Sequence, residues 1–257
     1  MLSPQGTETL ARVVIVALLL APVLLAVWGL ARSKHTATQE ALIFLSALLA
    51  RTLWRARVKG RIDIPAGQGA IVVANHTSGV DPWFTKLASP RILHYLVASE
   101  YFYHPAMHWF FRQVEAIPVN RGGIDTAATK QAIRLAEQGH VVGIFPEGRI
   151  NPTRSVLLPG RPGALLVALK ARVPVQICYI FNAPQSKTVG GTFLTPSKTR
   201  IVVGPLLDIS EYFGREKEDG VLAELTLRVL KEIATLAGQP DFQPKLAGKN
   251  WKPRDDE

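Results

Sequence analysis

A chain of 257 residues with 47% hydrophobic content is long enough for one sizeable core and too apolar to be disordered. Its 30 Lys and Arg against 20 Asp and Glu leave a formal net charge of +10, which implies an anionic partner: a phosphorylated substrate, an acidic membrane surface or nucleic acid. The single cysteine, Cys178, excludes an intrachain disulfide and, set in the apolar run ICYIF, reads as a buried reduced thiol suited to a cytosolic catalytic part.

Residues 13–30, VVIVALLLAPVLLAVWGL, carry no charge and approach the ~20 apolar residues that cross a hydrocarbon core of about 30 Å, so the segment is a candidate transmembrane helix. A cleaved leader and a hairpin re-entering one leaflet at Pro22 are the alternatives; ARSKH after Leu30 offers no small-residue cleavage site and favours retention. Arg32, Lys34, Arg51, Arg55, Arg57, Lys59 and Arg61 follow the apolar run, against Arg12, partnered by Glu8, before it. That bias puts the bulk of the chain on the cytoplasmic side of the inner membrane. Residues 41–58 begin apolar and end basic, with Trp54 beside Arg55. They read as an interfacial helix, the alternative being an ordinary core helix with a solvated basic end. Residues 1–58 are thus assigned to a membrane anchor and interfacial helix.

From residue 60 short β-rich runs alternate with helical stretches: AIVVA (70–74), HYLVA (94–98), EAIPV (115–119), VVGIF (141–145), VPVQICYIF (173–181) and RIVVG (200–204). This alternation predicts an α/β domain over 59–237. Helices are expected over 124–138, capped by Asp125 and stopped by Gly139, over 162–171, opened by Pro162, and over 217–237. The tail 238–257 is rich in Pro, Gly, Lys and Asp and is expected to be loosely ordered.

Three of these strands run directly into polar segments. AIVVA is followed by Asn75, His76, Thr77, Ser78, Gly79, Val80 and Asp81. An imidazole titrates near neutrality and can take a proton from an alcohol, while a carboxylate on its other nitrogen fixes the tautomer. A turn or first helical turn through Ser78 and Gly79 would fold Asp81 back toward His76 and allow that pair. EAIPV is followed by Asn120, Arg121, Gly122 and Gly123, a suitable phosphate clamp. VVGIF is followed by Pro146, Glu147, Gly148 and Arg149. If the strands run parallel, loops at their carboxyl ends converge on one crevice.

Taken together these segments resemble the glycerolipid acyltransferase family, which includes the bacterial 1-acylglycerol-3-phosphate acyltransferases. Asn75, His76 and Asp81 are similar to its NHxxxxD motif, Ile117 to Arg121 to the block ending in a substrate-binding arginine, Phe145 to Arg149 to its FPEG motif, and Val173, Pro174 and Val175 to its VPV block. The blocks occur in the family's order and span roughly residues 55–205. Arg149 follows Gly148 directly where the family often has an intervening Thr or Ser, and Ile177 stands where the last block often ends in proline.

The resemblance implies a mixed, largely parallel sheet flanked by helices. It implies His76, oriented by Asp81, as general base for transfer of a fatty acyl group from acyl-CoA or acyl-carrier protein to the free hydroxyl of 1-acylglycerol-3-phosphate, giving phosphatidic acid, with no metal, cofactor or covalent intermediate. Arg121 and Arg149 are expected to hold the acceptor's phosphate, with Arg161 of PGRPG a weaker candidate, and Glu147 to anchor an arginine or the glycerol hydroxyls. Oxyanion donors are sought among backbone N–H groups after Asn75 or at Gly148. Another lysophospholipid or a lyso-aminolipid is the alternative acceptor, and a catalytically silent membrane-binding protein is the rival of another class.

His104 and His108 in HPAMH have helical i,i+4 spacing but lack the adjacent glutamate of a zinc-protease motif. The surrounding YFYHPAMHWFF reads as core, acyl-chain lining or membrane-facing surface. No GxSxG elbow, P-loop or GxGxxG fingerprint occurs, and no nucleic-acid-binding motif accompanies the charge. The expected partners are therefore acyl donor, lyso-lipid and anionic membrane, without nucleic acid.

Overall fold

The computed structural model describes residues 36–120, 125–186 and 188–248. The apolar segment 13–30, and Arg121 with the glycines after it, lie outside the described residues. Among the described residues no helix is long and apolar enough to cross a membrane.

The strands are β1 (Arg57–Lys59), β2 (Ala70–Val73), β3 (Leu93–Ala98), β4 (Ile117–Val119), β5 (Val141–Ile144), β6 (Val175–Phe181) and β7 (Arg200–Leu207). They form one sheet in the order β1-β7-β6-β2-β5-β3-β4. β6, β2, β5, β3 and β4 run parallel, β7 is antiparallel to β6, and β1 is parallel to β7. The expected α/β architecture with a mixed, largely parallel sheet flanked by helices is present.

β2 is fully buried because it lies at the centre of the sheet with both faces covered. Ile71 and Val73 enter one core, with the helices α5 (Thr126–Glu137), α6 (Gly163–Ala171) and α7 (Val221–Leu236). Ala70, Val72 and Ala74 enter the other, with Trp54 and with Phe84 of α2 (Asp81–Leu87). The Asp125 carboxylate caps α5 by accepting from Ala128 N–H at 2.9 Å and also takes Asn120 N–H at 2.8 Å. Ala128, Ala132 and Ala136 form the buried stripe of α5, and Gly139 ends the turn at φ +85, where a Cβ would meet the Gly67 carbonyl.

The helix expected over 41–58 is found instead as α1 (Ala37–Thr52). Arg55, at φ 40, turns the chain into edge strand β1, so of the basic residues read as a helix end Arg51 closes α1, Arg55 lies in the turn and Arg57 opens the strand. Trp54 is no interfacial anchor: it is fully buried, edge-on to Trp83 at 5.6 Å and to Phe84 at 5.3 Å. The described part of the segment after 238 is also tied down. Gly160 N–H donates to the Lys245 carbonyl and Ala247 N–H to the Gly160 carbonyl, both at 2.9 Å, and Phe242 packs on the first core. Backbone pairing of this kind leaves no trace in side-chain periodicity.

Gly143 lies in the middle of β5, and a Cβ there would stand 2.3 Å from ring carbons of the buried Tyr95 on β3. Overfilling a packed core costs about 1–3 kcal/mol. Gly143→Ala is therefore expected to lower the unfolding free energy by that amount, read as a lower urea midpoint at an unchanged slope; an unchanged midpoint would show that the Tyr95 ring is free to move aside.

Candidate active site

β2 ends at Val73, but its pairing with β6 continues through a side chain. Asn75 Nδ2 donates to the Ile180 carbonyl at 2.9 Å, and Ile180 N–H donates to Asn75 Oδ1 at 2.7 Å. The amide stands in for a peptide unit, so the main chain leaves the sheet at His76. The next turn is pinned through Ser78, whose Oγ donates to the Pro184 carbonyl after β6.

That turn delivers Asp81, the first residue of α2, to His76. Asp81 Oδ2 accepts from His76 Nδ1 at 2.9 Å, from Thr77 N–H at 2.7 Å and from Ser78 N–H at 2.8 Å. Asp81 is fully buried, and its Oδ1 has no hydrogen-bond partner among the described residues. With Nδ1–H committed to the carboxylate, His76 Nε2 keeps its lone pair. The His76 side chain is 14% exposed, so the ring can still be reached from outside.

The imidazole is also held by its face. Phe145, at the exit of neighbouring strand β5, stacks on it at 4.0 Å with 7° between the planes. Tyr95 stacks in turn on Phe145 at 5.2 Å, and its hydroxyl hydrogen-bonds Thr85 of α2, one turn after Asp81. The ring series thus returns to the helix that carries the carboxylate. Tyr95 is not singled out from sequence for the site; Phe145 is named there as the first residue of the FPEG-like block but is given no role.

Glu147 does not occupy the place expected of a substrate ligand. It is fully buried and its two oxygens accept from backbone N–H groups, His76 at 2.6 Å and Leu158 at 2.8 Å. Asn151 N–H donates to the His76 carbonyl at 2.6 Å, so the loop after β5 satisfies both sides of the His76 residue. Burial pushes the Glu147 carboxyl up to about 8 against the opposing pull of its two amide donors, and Asp81 adds to the rise.

The expected oxyanion donors are largely engaged. His76 N–H serves Glu147, Thr77 and Ser78 N–H serve Asp81, Val80 N–H lies on Ser78 Oγ, and Gly148 N–H donates to the Phe145 carbonyl. Arg149 is half-buried on the same turn, and its side chain makes no hydrogen bond or ion pair among the described residues. Arg161 is brought to that turn: its N–H donates to the Pro146 carbonyl at 2.8 Å and its Cδ and Nε cross Gly148, which at φ +70 carries no Cβ to obstruct them. Arg121 is outside the described residues. Val173 and Pro174 lie at the amino end of β6, away from the site; Pro174 accepts from Ile71 N–H at 3.0 Å and extends the ladder.

The family model described as Acyltransferase matches residues 55–180. The 1-acyl-sn-glycerol-3-phosphate acyltransferase of Bacillus subtilis is 26% identical over 186 residues, covering 72% of this chain and 89% of that one. The enzyme of the same description from Borreliella burgdorferi is 25% identical over 202 residues, covering 76% and 79%. The crystal structure of the Thermotoga maritima 1-acyl-sn-glycerophosphate acyltransferase, PlsC, shares the fold, with a TM-score of 0.59 at 23% identity over 76% of this chain and 79% of that one. Over residues 55–180 the chain is thus similar to the acyltransferase family. Within it, the chain is similar to bacterial enzymes named for acylation of 1-acyl-sn-glycerol-3-phosphate.

Glu147 gives a pH prediction. An acid that binds its proton more tightly in the folded chain than in the unfolded one makes folding less favourable as pH rises between the two values. The wild-type denaturation midpoint is therefore expected to fall as pH rises from 4.5 towards about 8. Glu147→Gln removes that slope and, by turning one acceptor into a donor facing an amide N–H, costs about 1–3 kcal/mol at low pH. Equal slopes in the two proteins would show that Glu147 does not titrate in that window.

Proposed function

We propose that this chain transfers a fatty acyl group from acyl-CoA or acyl-carrier protein to the free hydroxyl of 1-acylglycerol-3-phosphate, forming phosphatidic acid. The observation that carries the reading is the His76 Nδ1–Asp81 Oδ2 bond of 2.9 Å at a strand exit, which leaves Nε2 as the acceptor of a proton. In this reading Nε2 takes the hydroxyl proton as the oxygen attacks the thioester carbonyl. The imidazolium is stabilised by the Asp81 carboxylate and by the face of Phe145, and the proton then passes to the departing thiolate. Asp81 and Phe145 act on the base; Glu147 and Asn151 position its backbone.

Arg149 and Arg161, on one turn next to the base, supply cationic groups for the phosphate monoester, with Arg121 a further candidate on sequence grounds. A lyso-lipid without a phosphate would not use them. The acceptor's class is thus read from which side chains alter its KM.

His76→Ala is expected to lower kcat by about 10²–10⁴, the usual worth of a positioned general base, with the unfolding midpoint retained. Phe145→Leu keeps the apolar bulk but removes the ring face, and lowers kcat by roughly tenfold with KM unchanged. Retained turnover in His76→Ala would sink the mechanism. In a panel of lyso-lipids, Arg149→Ala and Arg161→Ala are expected to raise KM most for lysophosphatidic acid, less for lysophosphatidylcholine, whose phosphodiester keeps one negative charge, and not at all for a phosphate-free lyso-aminolipid. Equal effects on all acceptors would remove the phosphate role, and transfer to none of them would favour a silent membrane-binding protein.

A further inference from the structure

β3 ends at Ala98, and the chain turns at once into α3 (Ser99–Phe102) and then α4 (Pro105–Gln113). This is the carboxyl end of a strand parallel to β5, so both helices stand on the rim that carries His76 and Glu147. None of the nine residues of α4 is fully buried, although its sequence is PAMHWFFRQ.

Its inner side is accounted for. Phe110 lies 6.0 Å from Trp83, two residues after Asp81, and Phe111 stacks with Phe102 at 6.2 Å. The outer side is not. Pro105, Trp109 and Arg112 recur at i, i+4 and i+7 on one exposed stripe, Trp109 is 58% exposed, and Tyr103 and Tyr101 next to α4 are 62% and 38% exposed. The helix contains no acidic residue, and the Arg112 side chain makes no hydrogen bond or ion pair among the described residues. A shallow concavity lined by His108, Trp109, Arg112 and Gln113 opens on this face.

We infer that the outer face of α3 and α4 docks the catalytic domain on an anionic phospholipid bilayer. Indole and phenol rings with one apolar body and one polar tip suit the headgroup level of a membrane, and Arg112 meets the negative surface there. An acidic soluble protein would be met by several cations and few rings; here three exposed aromatics accompany one arginine and the exposed Glu100 of α3. Docking on this face sets the bilayer at the mouth of the site, one aromatic contact from the helix of Asp81. The proposal extends the lipid-acceptor reading, but its test reads position against a bilayer and not turnover, so either can fail alone.

The test uses the full chain with Ala106→Cys, an exposed position on the outer stripe, carrying an environment-sensitive fluorophore; the native Cys178 is buried and does not compete for label. Glu137→Cys, exposed at the far end of α5 and at the amino end of the sheet, is the control. With phosphatidylcholine–phosphatidylglycerol vesicles the label at 106 is expected to shift to the blue and to be quenched by nitroxides within the bilayer, while the label at 137 stays unchanged. Replacing Tyr103 and Trp109 together by Ala is expected to weaken that response about tenfold, with the unfolding midpoint retained. Cosedimentation with vesicles while the label at 106 stays unquenched would overturn the inference, as would a blue shift produced by an acidic soluble protein with the bilayer quencher silent.

Discussion

The His76 backbone sits just beyond the end of β2, where no neighbouring strand reaches it, and yet it is held on both sides. Its N–H goes to the Glu147 carboxylate and its carbonyl receives Asn151 N–H, both from the loop after β5. The position of the base is therefore not a property of its own strand. It depends on two parallel strands lying side by side with Val73 opposite Ile144, so that their exits meet. A buried carboxyl group is an expensive way to satisfy two amides, and that burial is what pushes Glu147 upward.

With the backbone fixed, the ring is fixed by two further groups of different kinds. Asp81 sets the tautomer and the rotation of the imidazole, and Phe145 sets the plane. Both trace to α2 and β5, the elements that also supply the backbone restraints. The Tyr95–Thr85 hydrogen bond joins the outer end of the stack to α2, so base, carboxylate and stacked rings move as one body. Gly143 is part of this arrangement because only the smallest residue in β5 leaves room for Tyr95.

Much of the framework was legible in the chain. The apolar β-rich runs mark β2 to β7, and most plainly β2, β5 and β6, because central strands buried on both faces need continuous apolar character, and Asp125, Gly139 and Pro162 mark helix ends through local backbone chemistry. The pairing of His76 with Asp81 was legible because it is made within one turn. What escaped depends on contacts distant in sequence. Trp54 reads as an interfacial anchor until Trp83 and Phe84 close over it, and Glu147 reads as a ligand until its two amides, one from each side of the sequence, are seen. The VPV block looks like site material by motif, yet strand direction places it at the other end of the sheet. No periodicity could have shown that the segment near Leu246 pairs with Gly160.

The Asn75 amide carries a consequence of its own. It presents a donor to the Ile180 carbonyl and an acceptor to the Ile180 N–H, and it does so in full burial. Spontaneous deamidation would exchange the NH₂ for oxygen without altering the outline of the side chain. It would then set a carboxyl oxygen against a carbonyl oxygen at the very point where the chain departs for His76. Chemical ageing at one atom, invisible to shape, is thereby converted into misplacement of the residue next in line.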